Sequence, residues 1–138
     1  MPNLFKSAIA APVAAGLSPI LQVGRASPEM LLVQASFIYG SGGTSADFWL
    51  QTTADGGATW IDISQFRFLT TTARVLYSVI ANQSIVAPYA ATDGTLAANT
   101  SINGILGYRY RVKYTTAGTY AGGTSISIDL TSQGQLLT

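Results

Sequence analysis

The side chains that could do chemistry in this chain are few, and their types exclude more than they allow. The sequence has no histidine and no cysteine. Thiolate nucleophiles, a Ser-His-Asp relay and every zinc site built on thiolate or imidazole are therefore excluded. An oxygen-only calcium or magnesium site needs convergent carboxylates. Asp47, Asp55, Asp62, Asp93 and Asp129 are instead scattered, with no D-x-D-x-D-G spacing. Gly40-Ser41-Gly42-Gly43 lacks the following helix and lysine that a phosphate-cradling loop requires. The residue types predict no catalytic, cofactor-binding or metal-ligating set.

Three constellations remain. The first lies in Phe48–Phe68, where two runs of aromatic and β-branched residues flank Ala54-Asp55-Gly56-Gly57-Ala58, a strong hairpin signal. The two glycines admit positive φ at little cost, and Asp55 can bond back to the turn. Thr53, Asp55, Gly57, Thr59 and Trp60 match Ser/Thr-x-Asp-x-Gly-x-Thr-Trp, so the run resembles the Asp-box of sialidase-type propellers. In that family the box is a structural hairpin remote from the chemistry, and a chain of 138 residues with one copy is too short for a propeller. Glycoside hydrolysis would also need a second acid at a defined separation, or a tyrosine nucleophile with an arginine cluster. The five residues therefore read as a Trp-pinned structural hairpin.

The second constellation is Arg109, Arg111 and Lys113, a cationic stripe on one face of a strand whose other face carries Tyr108, Tyr110, Val112 and Tyr114. The stripe either docks an acidic patch on a partner or is a solvated face balanced by Asp129, which a simple hairpin register would set near Arg111. The third is aromatic. Trp49, Tyr39, Tyr89 and Tyr120 could stack on sugar rings, or serve a core or an interface, where tyrosine and tryptophan are favoured.

The elements that must position these groups are strands. A chain of this length fits one domain with core enough to fold without a disulfide or metal. Charged residues make up only 9% and the net charge is +1, which argues against a nucleic-acid partner. So little charge, beside 48% hydrophobic residues, fits either a compact β-protein with a Thr/Ser-rich exterior or a surface covered in part by other subunits. The apolar N-terminal segment favours the second reading. Met1–Ala26 is apolar without useful periodicity. Lys6 and the small-residue run after it have the look of a secretory signal, but Pro12, Gly16 and Pro19 interrupt the run. The same breaks argue against a membrane span.

Residues 1–28 are therefore expected to form an N-terminal arm ahead of a β-sandwich domain at 29–138. The arm would bury Leu4, Phe5, Ile9, Val13, Leu17, Ile20 and Leu21 against a neighbour, and an edge segment packed on its own domain is the alternative. If it is an arm, deleting Met1–Gly24 leaves the domain folded but unable to assemble. Arg25–Glu29, with Pro28, reads as the hinge.

Beyond the hinge, Leu31, Val33, Ala35, Phe37 and Tyr39 share one face of a strand over Met30–Tyr39. The central hairpin has strands near Asp47–Thr53 and Thr59–Phe68. Ile61 and Ile63 share a face while Phe66 and Phe68 take the other, so a bulge near Ser64-Gln65, or apolar cover on both faces, is expected. Arg74–Ala81 places Val75, Tyr77 and Val79 together. A shorter strand is expected at Ser84–Pro88, then a long surface loop over Tyr89–Gly107 with a helical turn around Leu96–Asn99. The strand from Tyr108 and one carrying Ile126, Ile128 and Leu130 read as a final hairpin around Ala117–Gly123. The fold class this predicts is all-β, an antiparallel β-sandwich of jelly-roll type.

Two stretches carry a family resemblance, VQASFIYGSGGTSADFWLQTTADGGATWIDISQF and LGYRYRVKYTTAGTYAGGTSISIDL. Across Leu31–Leu130 the chain resembles small structural proteins from the head modules of tailed bacteriophages and prophages. The resemblance implies a decoration or minor capsid subunit made in the bacterial cytoplasm and located on the virion's capsid surface. Its partners would be the major capsid protein and copies of itself as a homo-oligomer, with no cofactor, no nucleic acid and no membrane. A virion-displayed glycan-binding module, or another head-tail structural component, is the alternative. On this reading the arm residues, with Arg109, Arg111 and Lys113, form the partner interface.

Overall fold

The computed structural model describes residues 3–22, 28–81 and 83–133. Among the described residues eleven strands follow in order: β1 (Asn3–Ala8), β2 (Val13–Leu17), β3 (Leu21–Gln22), β4 (Met30–Ile38), β5 (Ser41–Gly42), β6 (Ser45–Thr52), β7 (Ile61–Phe68), β8 (Ala73–Ile80), β9 (Arg109–Ala117), β10 (Tyr120–Ala121) and β11 (Ser125–Gln133). The first sheet has the order β1-β11-β4-β8. The second has the order β2-β9-β6-β7, with β3 also on β9, and β5 pairs with β10 at one end. Every pairing is antiparallel. The protein is an all-β antiparallel sandwich.

Side-chain alternation explains the first sheet directly. β4 buries Leu31, Val33, Ala35 and Phe37 and turns Leu32, Gln34 and Ser36 outward, the pattern of a sheet with one covered face. β11 adds Ile126, Ile128 and Leu130 to the same core. From the second sheet come Phe48, Leu50, Ile63, Phe66, Phe68, Tyr110 and Val112. Rings interlock between the sheets: Phe37 stacks on Phe68 at 4.9 Å, and Tyr120 meets Phe37 edge-on at 5.9 Å, arrangements that add to area burial alone.

The slip in β7 is a bulge. Leu50 pairs with Ser64 but Gln51 with Asp62, so Ile63 is the extra residue. It returns Ile63 to the core side shared by Phe66 and Phe68, one to two residues before the Ser64-Gln65 position expected. The second face of β7 is covered as well, but by a polar loop rather than an apolar one.

Three expectations need correction. Residues 3–22 are not an extended arm but edge strands of the same sandwich: β1 pairs with β11, while β2 and β3 pair with β9. Leu4, Phe5 and Ile9 are buried in the core, and Leu21 packs against it. The ring of Phe5 lies 4.9 Å from that of Tyr114. Gly16 crosses Tyr114 so closely that a Cβ there would sit 2.3 Å from the ring. Pro12 marks where the chain passes from the first sheet to the second, and Pro19 separates β2 from β3 along the same partner strand β9. Most of the expected hinge at Arg25–Glu29 lies outside the described residues.

Second, the final pair of strands is not a hairpin. β9 belongs to the second sheet and β11 to the first, and β10 between them pairs with β5. The facing of each strand is as expected; the partner is not. Third, no strand forms at 84–88, and the segment over Leu96–Asn99 is a turn without a helix, with Asn99 at φ 56°.

Candidate functional site

The Asp-box residues form a closed turn. Asp55 Oδ1 accepts the Thr59 N–H at 2.9 Å, and Oδ2 accepts the Thr59 hydroxyl at 2.5 Å. Thr53 Oγ1 lies 2.8 Å from Asp55 Oδ1, 2.7 Å from the Thr59 carbonyl, and accepts the Gly57 N–H at 2.9 Å. Gly57 holds φ 109°, in the region that favours glycine. The Thr59 hydroxyl and N–H, followed by the Thr53 hydroxyl, hold the Asp55 carboxyl well below the ordinary carboxylate value. The Asp55 carboxylate and both threonine hydroxyls thus serve the turn, and Trp60 is buried.

The outer face of the second sheet is where the chemistry-bearing side chains gather. The segment 92–102 runs alongside β7 and folds over this face as a strap. Its backbone adds to the strand edge: Asp62 N–H donates to the Thr92 carbonyl, Gln65 N–H to Thr100, and Ile102 N–H to Ile63. Beneath the strap Asp62 is fully buried. Its Oδ2 accepts N–H groups from Gly94 (2.7 Å), Thr95 (3.0 Å) and Leu96 (3.1 Å), and the Thr92 hydroxyl at 2.9 Å. Gln51 Nε2 bridges Asp62 Oδ1 and Asp93 Oδ1. Farther along, Gln65 donates to Asp47 and accepts the Asn99 N–H, while Arg67 clamps Asp47 through Nε at 2.6 Å and Nη2 at 3.2 Å.

The cationic stripe belongs to this network. Arg111 donates from Nε to Gln51 Oε1 at 2.8 Å and lies 4.5 Å above the Trp60 ring, a cation–π placement. Lys113 reaches Asp93 at 3.2 Å, and Arg109 donates to the Gly56 carbonyl. Asp93 therefore takes the balancing role expected of Asp129, which sits in the other sheet and accepts from Asn3. Burial lowers the pKa of Arg111, opposed by the charges of Asp93 and Asp62. Burial pushes Asp93 upward, but hydrogen bonds from Gln51 and Lys113 and the charges of Lys113 and Arg111 outweigh it, for a net lowering.

Between the Asp-box turn and the strap lies an open cleft of roughly 550 Å³, lined by Thr59, Trp60, Ile61, Thr92, Asp93 and Arg111. It brings together three of the hairpin residues, Gly57, Thr59 and Trp60, with one stripe residue, Arg111, but the Thr59 hydroxyl and the Arg111 guanidinium are already engaged in the turn and with Gln51. The aromatic platform does not assemble. Trp49 is buried and donates Nε1 to the Leu96 carbonyl. Tyr120 is 1% exposed, with its hydroxyl on the Leu69 carbonyl. Tyr39 is half-buried and only Tyr89 stands out in solvent. Of the N-terminal residues expected at an interface, Leu17 and Ile20 are exposed and Val13 is half-buried.

Asp47, Gln51, Asp62, Gln65 and Asp93 are the members that sequence reasoning did not single out. For the first four the available signal was their placement, polar residues recurring on two paired, otherwise apolar strands; Asp93 lies on the strap. Among the described residues no group of three or more His, Cys, Asp or Glu is placed to hold a metal ion. No described helix is long and apolar enough to cross a membrane. Comparison with protein-family models and with curated proteins finds no match.

Proposed function

We propose that this chain is a non-enzymatic structural subunit of a tailed-phage particle, a decoration or minor capsid protein that binds the shell surface and stabilises it. One observation carries the reading. In a chain with only 9% charged residues, Leu17, Ile20, Ile38, Leu69, Leu76 and Val86 are each half or more exposed. Apolar side chains this exposed, in a chain with so little charge, leave surface suited to cover by another subunit. The groups best equipped for chemistry are committed instead to holding the strap.

The strand order adds support. Counting only the eight longer strands in chain order, the sheets read 1-8-3-6 and 2-7-4-5, an order that fits a jelly-roll, a fold used by viral capsid and lectin domains. The resemblance over Leu31–Leu130 points the same way. Attachment would not rest on the cationic stripe, which is engaged internally. The glycan-binding alternative loses two of its aromatic platforms, Trp49 and Tyr120, to burial.

The test compares particles assembled with and without the chain under heat and low salt, with a reconstruction to locate it. Particles that lack it should break at lower temperature, and density for the sandwich should lie on the shell. Equal survival, with no density on the particle, would overturn the reading.

A further inference from the structure

The exposed edges of an antiparallel sheet are templates for another strand unless something blunts them. The four edges of this sandwich are not alike. β1 carries Lys6 and a bulge between Asn3 and Phe5. β2 shifts register between Val13 and Gly16 and is bracketed by Pro12 and Pro19. β7 is covered by the strap. β8 carries one charge, Arg74, but no bulge, proline or cover along its middle: it pairs with β4 without a break from Ala73 opposite Phe37 to Ile80 opposite Met30.

Ile80 fixes which backbone groups of β8 point away from β4. Its N–H donates to Asn103 Oδ1 at 2.9 Å, and its carbonyl accepts the Gly104 N–H at 2.8 Å, so that end is capped. Because the ladder alternates, the N–H and C=O groups of Arg74, Leu76 and Ser78 point the same way. No described strand or loop bonds them. The open edge is apolar as well: Leu76 is 50% and Val75 37% exposed, and Ile80, Ile85 and Val86 extend the surface past the capped end.

We infer that β8 pairs with β8 of a second copy of this chain, antiparallel about a twofold axis at Leu76, joining the two first sheets into one continuous sheet. The edge is self-complementary in this register. Leu76 meets Leu76, and Arg74 meets Ser78 in both directions, each pair exchanging both backbone hydrogen bonds with no like charges opposed. No other register matches all three open residues of each strand with one another. Moving the axis toward Ser78 runs into the capped Ile80, and centring it on Arg74 sets guanidinium against guanidinium. The contact is isologous, so it closes at two copies rather than growing into a filament. The inference concerns the chain alone and stands apart from the virion reading.

Sedimentation of the purified chain tests it, with the expected result a concentration-dependent dimer. Leu76→Pro deletes only an outward-facing N–H, so the fold should survive, as checked by circular dichroism, and the variant should sediment as a monomer. Should that variant unfold, Leu76→Lys, which leaves the backbone unaltered, takes its place. A covalent readout is available because the chain has no cysteine. In the proposed register the Cα atoms at position 76 stand about 5.5 Å apart, within disulfide reach. Leu76→Cys should therefore oxidise to a covalent dimer, while Val86→Cys, fully exposed but off the edge, should not. A wild-type chain that stays monomeric at its solubility limit would overturn the inference. So would a dimer that survives Leu76→Pro or Leu76→Lys, or equal cross-linking through position 86. A monomer that loses attachment to the shell on the same substitutions would assign the edge to a different protein's strand.

Discussion

Both carboxylate oxygens of Asp62, on β7, accept the backbone N–H of Gly94, on the strap, at 2.9 and 2.7 Å. This contact anchors a segment with no strand of its own to the sheet beneath. A buried carboxylate is stable only where several donors replace its water, and here Thr95, Leu96, Thr92 and Gln51 complete the set. Asp62→Ala should therefore cost about 3 kcal/mol or more, because it leaves buried donors without acceptors. Urea unfolding measures the loss. Hydrogen exchange at Gly94, Thr95 and Leu96 locates it, since those amides should lose protection first. A cost under about 1 kcal/mol, with protection retained, would mean the strap is held by its strand-edge bonds alone.

The same contact shows where local sequence reading ends. Alternation in β4 and β11 was legible because each has one covered face, and Leu31, Val33, Ala35 and Phe37 announce it. Phe48–Phe68 was legible as a hairpin because Asp55, Gly56 and Gly57 encode the turn locally. Asp47, Gln51, Asp62 and Gln65 read as ordinary outward polar residues, since nothing nearby reveals that residues 92–102 return to cover them. The pairing of β9 was misread for a related reason: alternation fixes which face a strand presents, not which strand it meets. Leu4 and Phe5 follow the alternative reading, an edge segment packed on its own domain; the sequence favours the arm because short edge strands interrupted by Pro12 and Gly16 carry no sustained period.

Trp60 links the hairpin to the stripe. It is 7% exposed, and the Arg111 guanidinium covers its face. Trp60→Ala should cost about 3–5 kcal/mol, the range for truncating a buried aromatic. Arg111→Lys tests the cover separately, because an ammonium lacks the planar fork that lies over the ring while donating to Gln51. It should cost about 1 kcal/mol and shift the tryptophan emission. Unchanged emission and stability would show that Arg111 contributes nothing to the site.

Phe5 decides between an arm and an edge strand. It is buried in the core and touches the rings of both Phe48 and Tyr114. Phe5→Ala in the isolated chain should therefore cost about 3–5 kcal/mol. Deleting residues 1–24 removes β1, β2 and β3 and uncovers β11 and β9, so cooperative unfolding should be lost. An arm that lies on a neighbour predicts the opposite, a truncated chain that melts like the full-length protein. Thermal unfolding of the two proteins at low concentration separates the outcomes.

Acid should weaken the protein through Asp55. Its carboxyl, bonded by Thr59 and Thr53, titrates below its ordinary value of 3.8. Between those two values the unfolded chain binds a proton that the folded chain does not, so stability rises with pH across that window. The contribution is fully present above the ordinary value and disappears as pH falls through the folded one. Asp93, also lowered, adds in the same sense. Asp55→Asn should therefore destabilise the protein at neutral pH and flatten the acid limb of its stability curve, with the gap to wild type narrowing toward about pH 2. Unfolding free energies of the two proteins across that range provide the measurement. Parallel curves would mean that Asp55 titrates alike in the folded and unfolded chains, and that the turn owes its stability to its glycines and Trp60 instead.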